Sequence, residues 1–219
     1  AMLTIYSEPV SLYCAKLRVL LRHKGLDWND LPPPGGYGSD EYRAIVPSGN
    51  LPAMVHDGFM LADSEAIAEY LDEAFPTVAM LPDTIKGRAK VREKGRLHDT
   101  RLEPALRMLY PQTTYHTRDP EAVSVAVAAI NKSFASLDLL LTNDTLEKDR
   151  LWLCDCGFAV AFAWLKAFDR ALNLSLTWPD RVLAYDRKLS TFDAVQAELS
   201  DYAPAMKGYL KKAAPPAQG

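Results

Sequence analysis

The stretch Pro47-Ser48-Gly49-Asn50-Leu51-Pro52-Ala53-Met54 is followed by Leu61-Ala62-Asp63-Ser64-Glu65-Ala66-Ile67-Ala68-Glu69-Tyr70-Leu71. Between the two segments, Asp57-Gly58 joins the short runs 53–56 and 59–61, which is typical of a β-hairpin with a two-residue turn. Asp63 or Ser64 can then cap a helix whose apolar residues recur at helical spacing. These residues predict a strand, a tight turn, a strand and a helix in that order.

Towards the N-terminus, strand-like and helix-like segments alternate. The β-branched and aromatic run 2–6 predicts a first strand, and Ser11 can cap a helix that ends at Gly25. Residues 26–31 form a second candidate strand before a proline-rich loop, and residues 39–46 form a short candidate helix. The predicted order is β-α-β-α-β-β-α, which is one small α/β domain.

Beyond residue 82 nearly the whole sequence has a helical pattern. We expect helices near 84–110, 120–142, 154–173 and 181–211, with residues 77–82 as a linker. Residues 157–165 are apolar on every side, which is typical of a helix in the middle of a bundle. The expected organisation is an α/β domain over residues 1–79 and an all-α helical-bundle domain over residues 84–219.

The composition excludes several classes of protein. Hydrophobic residues make up 48% and charged residues 24% of the 219 positions, so the chain is neither disordered nor fibrous. A net charge of -3 and a pI near 5.8 provide no general attraction to nucleic acid or to an anionic membrane. No apolar run reaches the roughly 18 residues of a membrane helix. Three cysteines, an odd number, argue against a disulfide scaffold and indicate a reducing, cytoplasmic compartment.

Together these segments closely resemble the signature of the cytosolic glutathione S-transferase superfamily. The family pattern is a Pro-x-Gly-x-hydrophobic-Pro turn, here residues 47–52, and then an acidic-Ser pair opening a helix that ends in Tyr-Leu, here residues 63–71. The resemblance also covers residues 6–18, with a serine-type, bacterial zeta- or theta-like pattern. It implies a thioredoxin-like, glutathione-binding first domain and a helical second domain.

The same resemblance assigns residues to glutathione, an extended tripeptide with charged ends and a central thiol. It implies a cis peptide bond before Pro52 and pairing of the Leu51 backbone with the cysteinyl unit. Ser64 would hold the γ-glutamyl carboxylate at a helix N-terminus, where hydroxyl and N–H groups form an anion site, and Asp63 would orient that end. Asn50 lies where the family has a polar or basic residue near the glycyl carboxylate.

Two residues are candidates for contacting the glutathione sulfur. The position used in the serine and cysteine classes matches Ser11, whose hydroxyl would donate to the thiolate beside the positive end of a helix. Tyr6 matches the place from which other classes draw a catalytic tyrosine, and a helix cap alone is the structural alternative for Ser11. The segment Ser11-Leu12-Tyr13-Cys14 departs from the zeta-like Ser-Ser-Cys pattern, which argues against the maleyl-isomerising class.

The cysteines and histidines favour structural roles. The Ser11-x-x-Cys14 motif lacks the attacking thiol of a redox dithiol pair, so we expect Cys14 to pack within its helix. The Cys-Asp-Cys sequence at 154–156 and the scattered histidines have no zinc-ligand spacing, and no metal is expected. Asp155 falls where the family caps its central helix. Three residues earlier, where the family usually has Ser or Thr, this chain has Trp152, so a reciprocal capping box should be lost.

A basic run occupies the start of the helical part. Arg88, Arg92 and Arg96 recur at four-residue spacing, with lysines between them. Such a run is usually a solvated or interface-facing helix edge, and we prefer this interpretation to a nucleic-acid patch. The resemblance places the equivalent helix at a dimer cleft and so implies a homodimer.

The expected activity is conjugation of the glutathione thiolate to a small hydrophobic electrophile, a transferase reaction of detoxification with glutathione as co-substrate. We expect Tyr13, Tyr110, Tyr115 and Phe162 to line the electrophile pocket. One alternative is a glutathione-dependent cis-trans isomerase of a maleyl-type diacid. Extra basic residues in the second pocket would favour it, and none stands out. Another alternative is a noncatalytic binding or interaction protein with the same fold.

Overall fold

The computed structural model describes residues 2–217 of the chain. A mixed four-stranded sheet forms the first part of the chain. The strands are β1 (Leu3–Tyr6), β2 (Asn29–Leu31), β3 (Ala53–His56) and β4 (Phe59–Ala62), in the order β2-β1-β3-β4. Strand β1 is parallel to β2 and antiparallel to β3. The predicted hairpin is confirmed: Asp57 and Gly58 have φ values of 47° and 86°, and a type I′ turn requires positive φ at both positions.

Three helices complete this part: α1 (Leu12–Lys24), α2 (Asp40–Ile45) and α3 (Ser64–Ala74). Helix α1 begins and ends where the sequence predicts. The Ser11 side chain accepts a hydrogen bond from the first turn, and Gly25 adopts the left-handed conformation at φ 67°. The α/β thioredoxin-like order β-α-β-α-β-β-α is therefore confirmed.

The second part is helical, as expected, but two of the predicted helices are interrupted. Residues 84–110 contain a π-turn at His98–Leu102, and residues 181–211 form two helices. The second break has a local cause: the Ser190 and Thr191 hydroxyls donate to the Asp186 and Lys188 carbonyls and end the first helix. The elements are α4 (Ile85–Leu97), α5 (Glu103–Arg107), α6 (Pro120–Thr142), α7 (Leu153–Leu172), α8 (Asp180–Leu189) and α9 (Asp193–Leu210), with short 3-10 turns at Tyr110–Gln112, Tyr115–Thr117 and Lys211–Ala213.

The division into domains at residues 1–79 and 84–219 stays a prediction. The outermost residues of those ranges, 1, 218 and 219, lie outside the described part of the chain.

Helix α7 is the centre of the helical part, and it is buried on nearly every side as its apolar sequence predicts. At its N-terminus the structure differs from the expected loss of a reciprocal capping box. The Trp152 N–H donates to Asp155 Oδ2 at 2.8 Å, and the Asp155 N–H donates to the Trp152 carbonyl at 2.9 Å. The backbone carbonyl of Trp152 thus takes the part that a Ser or Thr hydroxyl has in a capping box, and the reciprocal pair is kept.

Helix α6 is long and apolar enough to cross a membrane by length and composition alone, with a mean hydropathy of 1.4 over its best window. This helix is the exception to the expectation that no segment reaches membrane length. One face packs into the core through Ile130, Phe134 and Leu137. A single helix of this kind is weak evidence for a membrane, because core helices of globular proteins meet the same criteria.

Helix α1 joins the two parts of the chain, because it packs against α3, α7 and α9. Its Arg18 Nε lies 2.9 Å from Glu198 Oε1 on α9, and the Glu198 side chain is 1% exposed. Arg22 also contacts Glu198, at 3.3 Å, and reaches the exposed Asp201 at 2.7 Å. A single buried carboxylate therefore pairs with two arginines across this contact, and Asp201 supplies the second negative charge.

We predict that Glu198→Gln lowers the free energy of unfolding by about 3 kcal/mol, because it leaves buried arginine charge uncompensated. Asp201→Asn is the matched control on the same helix. Since the Asp201 side chain is 70% exposed, its loss should cost less than about 1 kcal/mol. Urea denaturation followed by circular dichroism measures both values. Equal losses in the two variants would contradict a special role for the buried carboxylate.

Candidate active site

A cavity of about 960 Å³ opens between the N-terminus of α1, the segment 48–52, the N-terminus of α3 and one side of α4 and α5. Most of the residues that the sequence assigns to a site meet here. They are Ser11, Tyr13, Asn50, Leu51, Pro52, Asp63, Ser64 and Tyr110.

Ser11 lies at the N-terminus of α1 and lines the cavity. Its Oγ accepts the Cys14 N–H at 3.3 Å, which uses a lone pair of the hydroxyl. Within residues 2–217 the hydroxyl hydrogen has no oxygen or nitrogen acceptor, so the hydroxyl can donate to a ligand. The position combines a hydrogen-bond donor with the positive end of a helix dipole, which suits an anion.

The segment 48–52 presents backbone groups to the cavity. The Leu51–Pro52 peptide bond is cis, as the resemblance implies. In the described part of the chain, the N–H and carbonyl of Leu51 have no hydrogen-bond partner. The hydroxyl of the buried Tyr42 donates to the Asn50 carbonyl at 2.7 Å and so holds the segment against α2. An extended peptide could pair with Leu51 as an added strand would.

Asp63 and Ser64 line another part of the cavity, at the N-terminus of α3. Asp63 has a φ of 80°, an uncommon backbone conformation for a residue with a side chain, at a cost of about 1–3 kcal/mol. Its Oδ1 caps α3 by accepting the N–H groups of Glu65 and Ala66, both at 3.0 Å. Ser64 Oγ accepts from Lys16 Nζ at 3.3 Å.

Three predicted residues lie elsewhere. Tyr6 points to the face of the sheet covered by α2, where its ring meets Tyr42 at 6.1 Å, because successive strand residues alternate between faces. Phe162 is fully buried in α7, as expected for a helix without a polar side. Tyr115 is 45% exposed on a 3-10 turn. None of the three lines the cavity.

Sequence reasoning missed a charged wall on the helical side of the cavity. We call Arg96, Asp99, Glu103 and Arg107, which all line it, the α4–α5 wall. The sequence contains a signal for this wall: positions 96, 99, 103 and 107 are separated by three or four residues, and such intervals put side chains on one face of a helix. Arg96 is exposed, in agreement with a solvated or interface-facing helix edge, and it also lines the cavity. The expected hydrophobic pocket is instead mixed in polarity.

Two carboxylates connect the α4–α5 wall to α1: Asp99, which pairs with Lys16, and Glu103. Glu103 is buried, and Arg107 pairs with it through two hydrogen bonds of 2.9 and 2.7 Å. The Tyr13 hydroxyl donates to Glu103 at 3.2 Å. Burial, with the negative charge of Glu103, raises the pKa of Tyr13 above its ordinary value, so its hydroxyl stays protonated.

The other residues of the basic run bond within the chain: Arg88 donates to the Pro82 and Asp83 carbonyls, and Arg92 and Lys94 form ion pairs. Arg92 forms two 3.0 Å hydrogen bonds with Glu69, and the buried Lys94 lies 3.4 Å from Asp144 and 3.7 Å from Asp155. Whether this face also meets a second copy of the chain stays a prediction. Among the described residues, no group of three or more His, Cys, Asp or Glu side chains is placed to hold a metal ion.

Comparison with known proteins agrees with this geometry. Residues 5–79 match a family model described as the N-terminal domain of glutathione S-transferase. Glutathione S-transferase 1 of Dianthus caryophyllus is 30% identical over 142 residues, which cover 63% of this chain and 64% of that protein. A probable maleylacetoacetate isomerase 1 of Drosophila melanogaster is 30% identical over 145 residues, covering 64% of this chain and 58% of that protein. The match thus spans less than two thirds of these curated relatives.

A solved structure extends the likeness over the helical part. The crystal structure of glutathione transferase F7 from Populus trichocarpa superimposes with a TM-score of 0.77, covering 92% of this chain and 99% of that chain. The sequence identity is 20%, so this likeness concerns the fold.

We predict that the three cysteines do not react in the native protein. Cys14, Cys154 and Cys156 are buried, and burial raises the pKa of each thiol, which lowers the thiolate fraction at neutral pH. A chromogenic disulfide reagent should therefore react with none of them rapidly at pH 7, and with all three in urea. A fast-reacting thiol in the native protein that is lost in Cys14→Ala would contradict this.

Proposed function

We propose that this chain, which belongs to the cytosolic glutathione S-transferase superfamily, binds glutathione as a thiolate and transfers it to an electrophile held against the α4–α5 wall. The observation that carries the proposal is the Ser11 hydroxyl, which lines the cavity at the N-terminus of α1 and has no oxygen or nitrogen acceptor within residues 2–217. It lies on the same cavity as the unpaired Leu51 backbone. This arrangement suits a tripeptide with a central thiol.

Ser11 is the catalytic residue in this proposal. Its hydroxyl donates a hydrogen bond to the glutathione sulfur and, with the dipole of α1, stabilises the thiolate relative to the thiol. A fall in the thiol pKa from about 8.5 to about 6.5 requires roughly 2.7 kcal/mol. The thiolate then attacks an electrophilic carbon, either by displacing a leaving group or by adding to an activated double bond.

In this proposal the remaining glutathione contacts are made by the segment 48–52 and the N-terminus of α3. The Leu51 backbone pairs with the cysteinyl unit, Ser64 and the N-terminus of α3 receive the γ-glutamyl carboxylate, and Asp63 orients that end. Asn50 is exposed at the other end, beside the glycyl carboxylate. Pro52 forms the boundary between this segment and β3.

For the second substrate we propose the space between Tyr13, Tyr110 and the α4–α5 wall. The two rings supply apolar surface for a small hydrophobic electrophile, and the wall supplies charge. A cytoplasmic location and a homodimer complete the proposal, on the likeness to the relatives named above.

A second candidate function is glutathione-dependent cis-trans isomerisation of a maleyl-type diacid. Arg96 and Arg107 on the cavity wall favour it, because guanidinium groups bind carboxylates well. The Drosophila melanogaster relative has such a name. In this reaction the thiolate adds to the double bond and leaves after rotation. The third alternative is a noncatalytic binding protein. The position of Ser11 on the cavity argues against it.

We expect Ser11→Ala to lower turnover about 10-fold or more while leaving the glutathione dissociation constant within about 3-fold, because the lost hydrogen bond stabilises the thiolate rather than the bound tripeptide. Steady-state kinetics with a chromogenic aryl halide and calorimetric titration with glutathione measure the two quantities. Tyr6→Phe is the control and should change neither by more than about 2-fold. Retained activity in Ser11→Ala with loss in Tyr6→Phe would move the role to Tyr6, and no glutathione binding by the unaltered protein would refute the proposal.

Arg96→Gln distinguishes the two candidate reactions. Within residues 2–217 the Arg96 guanidinium has no acidic partner, so its charge is available to an anionic substrate. We expect Arg96→Gln to raise KM for a maleyl-type diacid about 10-fold and to leave conjugation of an uncharged aryl halide within about 2-fold. Arg92→Gln, one turn earlier and paired with Glu69, is the matched control. Equal kinetics of Arg96→Gln and the unaltered protein with the diacid would argue against the isomerase.

A further inference from the structure

Lys16 is a buried cation directly beneath the γ-glutamyl end of the cavity. Its side chain is 5% exposed, although it lies on α1 only five residues after Ser11. Its ammonium group donates to three acceptors: Ser64 Oγ at 3.3 Å, Glu65 Oε2 at 2.6 Å and Asp99 Oδ2 at 3.3 Å. An ammonium group has three hydrogens and no acceptor, so all of its hydrogen-bonding capacity is used.

The bond from Lys16 determines what the Ser64 hydroxyl can do. Because Lys16 can only donate, Ser64 Oγ must accept from it. Within the described residues the Ser64 hydroxyl hydrogen has no acceptor, and Ser64 lines the cavity. The hydroxyl is therefore left as a donor towards the cavity, which is the role that a bound carboxylate requires.

The charges around Lys16 reinforce this role. Burial alone would lower the pKa of the Lys16 ammonium, but Glu65 and Asp99 raise it above its ordinary value, so the group stays charged. Without this cation, Glu65 and Asp99 would present two uncompensated carboxylates beside the position of the ligand anion. Asp99 is fixed on its other oxygen by His98 Nδ1 at 2.7 Å, and His98 packs on Gly157 in the core.

We propose that Lys16 is a positioning residue for glutathione, which acts through Ser64 by holding its hydroxyl as a donor to the γ-glutamyl carboxylate. This inference rests on the proposed function above. The other buried lysine of α1 gives a contrast: Lys24 donates to the Phe75 and Val78 carbonyls and pairs with Asp72, all away from the cavity. Lys24 therefore has a structural role, whereas two of the acceptors of Lys16, Ser64 and Asp99, line the cavity.

The test is calorimetric titration of glutathione into the full-length chain carrying Lys16→Met, Ser64→Ala or both. We expect Lys16→Met to weaken binding about 10- to 100-fold, the range for a lost hydrogen bond involving a charged group. If Lys16 acts through Ser64, the double variant should bind no more weakly than the weaker single variant. If the loss of glutathione affinity in the double variant equals the product of the two single losses, the proposal is wrong.

Two further readouts separate positioning from folding. Lys16→Arg keeps the charge and the donors, so it should restore affinity to within about 3-fold of the unaltered protein. With glutathione saturating, Lys16→Met should keep kcat within about 2-fold, since Ser11 is untouched. The control Lys24→Met should lower the melting temperature and leave the dissociation constant of the folded protein unchanged. Unchanged glutathione affinity in Lys16→Met would overturn the proposal.

If Lys16→Met does not fold, Lys16→Gln takes its place. Its amide can still donate to Ser64 but carries no charge, so we expect a smaller loss of affinity, about 3- to 10-fold, and an affinity equal to that of the unaltered protein would overturn the proposal. The failure of the proposed function looks different from the failure of this inference. In the first case the unaltered protein does not bind glutathione at all. In the second the unaltered protein binds it and the Lys16 variants bind it equally well.

Discussion

Burial of three cations on one helix constrains most of this structure. Helix α1 packs against the sheet and the helical part at once, so Lys16, Arg18 and Lys24 are all nearly inaccessible. A buried charge is tolerated only when it is paired, and each of these finds carboxylates on different elements. Their positions fix the relation of α1 to the rest of the chain. The partners are Glu65 and Asp99 for Lys16, Glu198 for Arg18 and Asp72 for Lys24.

The same helix prepares the cavity for an anionic ligand. Ser11 and Ser64 each accept a hydrogen bond from the protein, from the Cys14 N–H and from Lys16 respectively. Each hydroxyl still has its own hydrogen to donate. The two serines lie at the N-termini of α1 and α3, where helix dipoles favour negative charge. Under the proposed function, these two positions would face the two anionic groups of the ligand.

What the sequence predicts well is local. Ser11, Gly25 and the Asp57-Gly58 turn are read correctly because caps and tight turns depend on a few neighbouring residues. The missed features depend on packing between distant segments. Whether Phe162 faces the cavity or the core depends on how α7 is surrounded, and whether the exposed Arg96 also lines a cavity depends on what lies opposite α4. The motif residues of the cavity were found through family resemblance, since cap chemistry alone does not distinguish a binding serine from a structural one.

The π-turn at His98–Leu102 sets the rotational phase between the two halves of the α4–α5 wall. An α-helix turns about 100° per residue, so removing one residue from this turn would rotate α5 by about that angle relative to α4. Glu103 and Arg107 would leave the cavity while Arg96 stayed in it. The same change would disturb the contacts of Asp99 with Lys16 and of Glu103 with Tyr13, which join this region to α1. Under the proposed function, a change of chain length by one residue at this turn would therefore alter the second-substrate side of the cavity without any substitution of its residues.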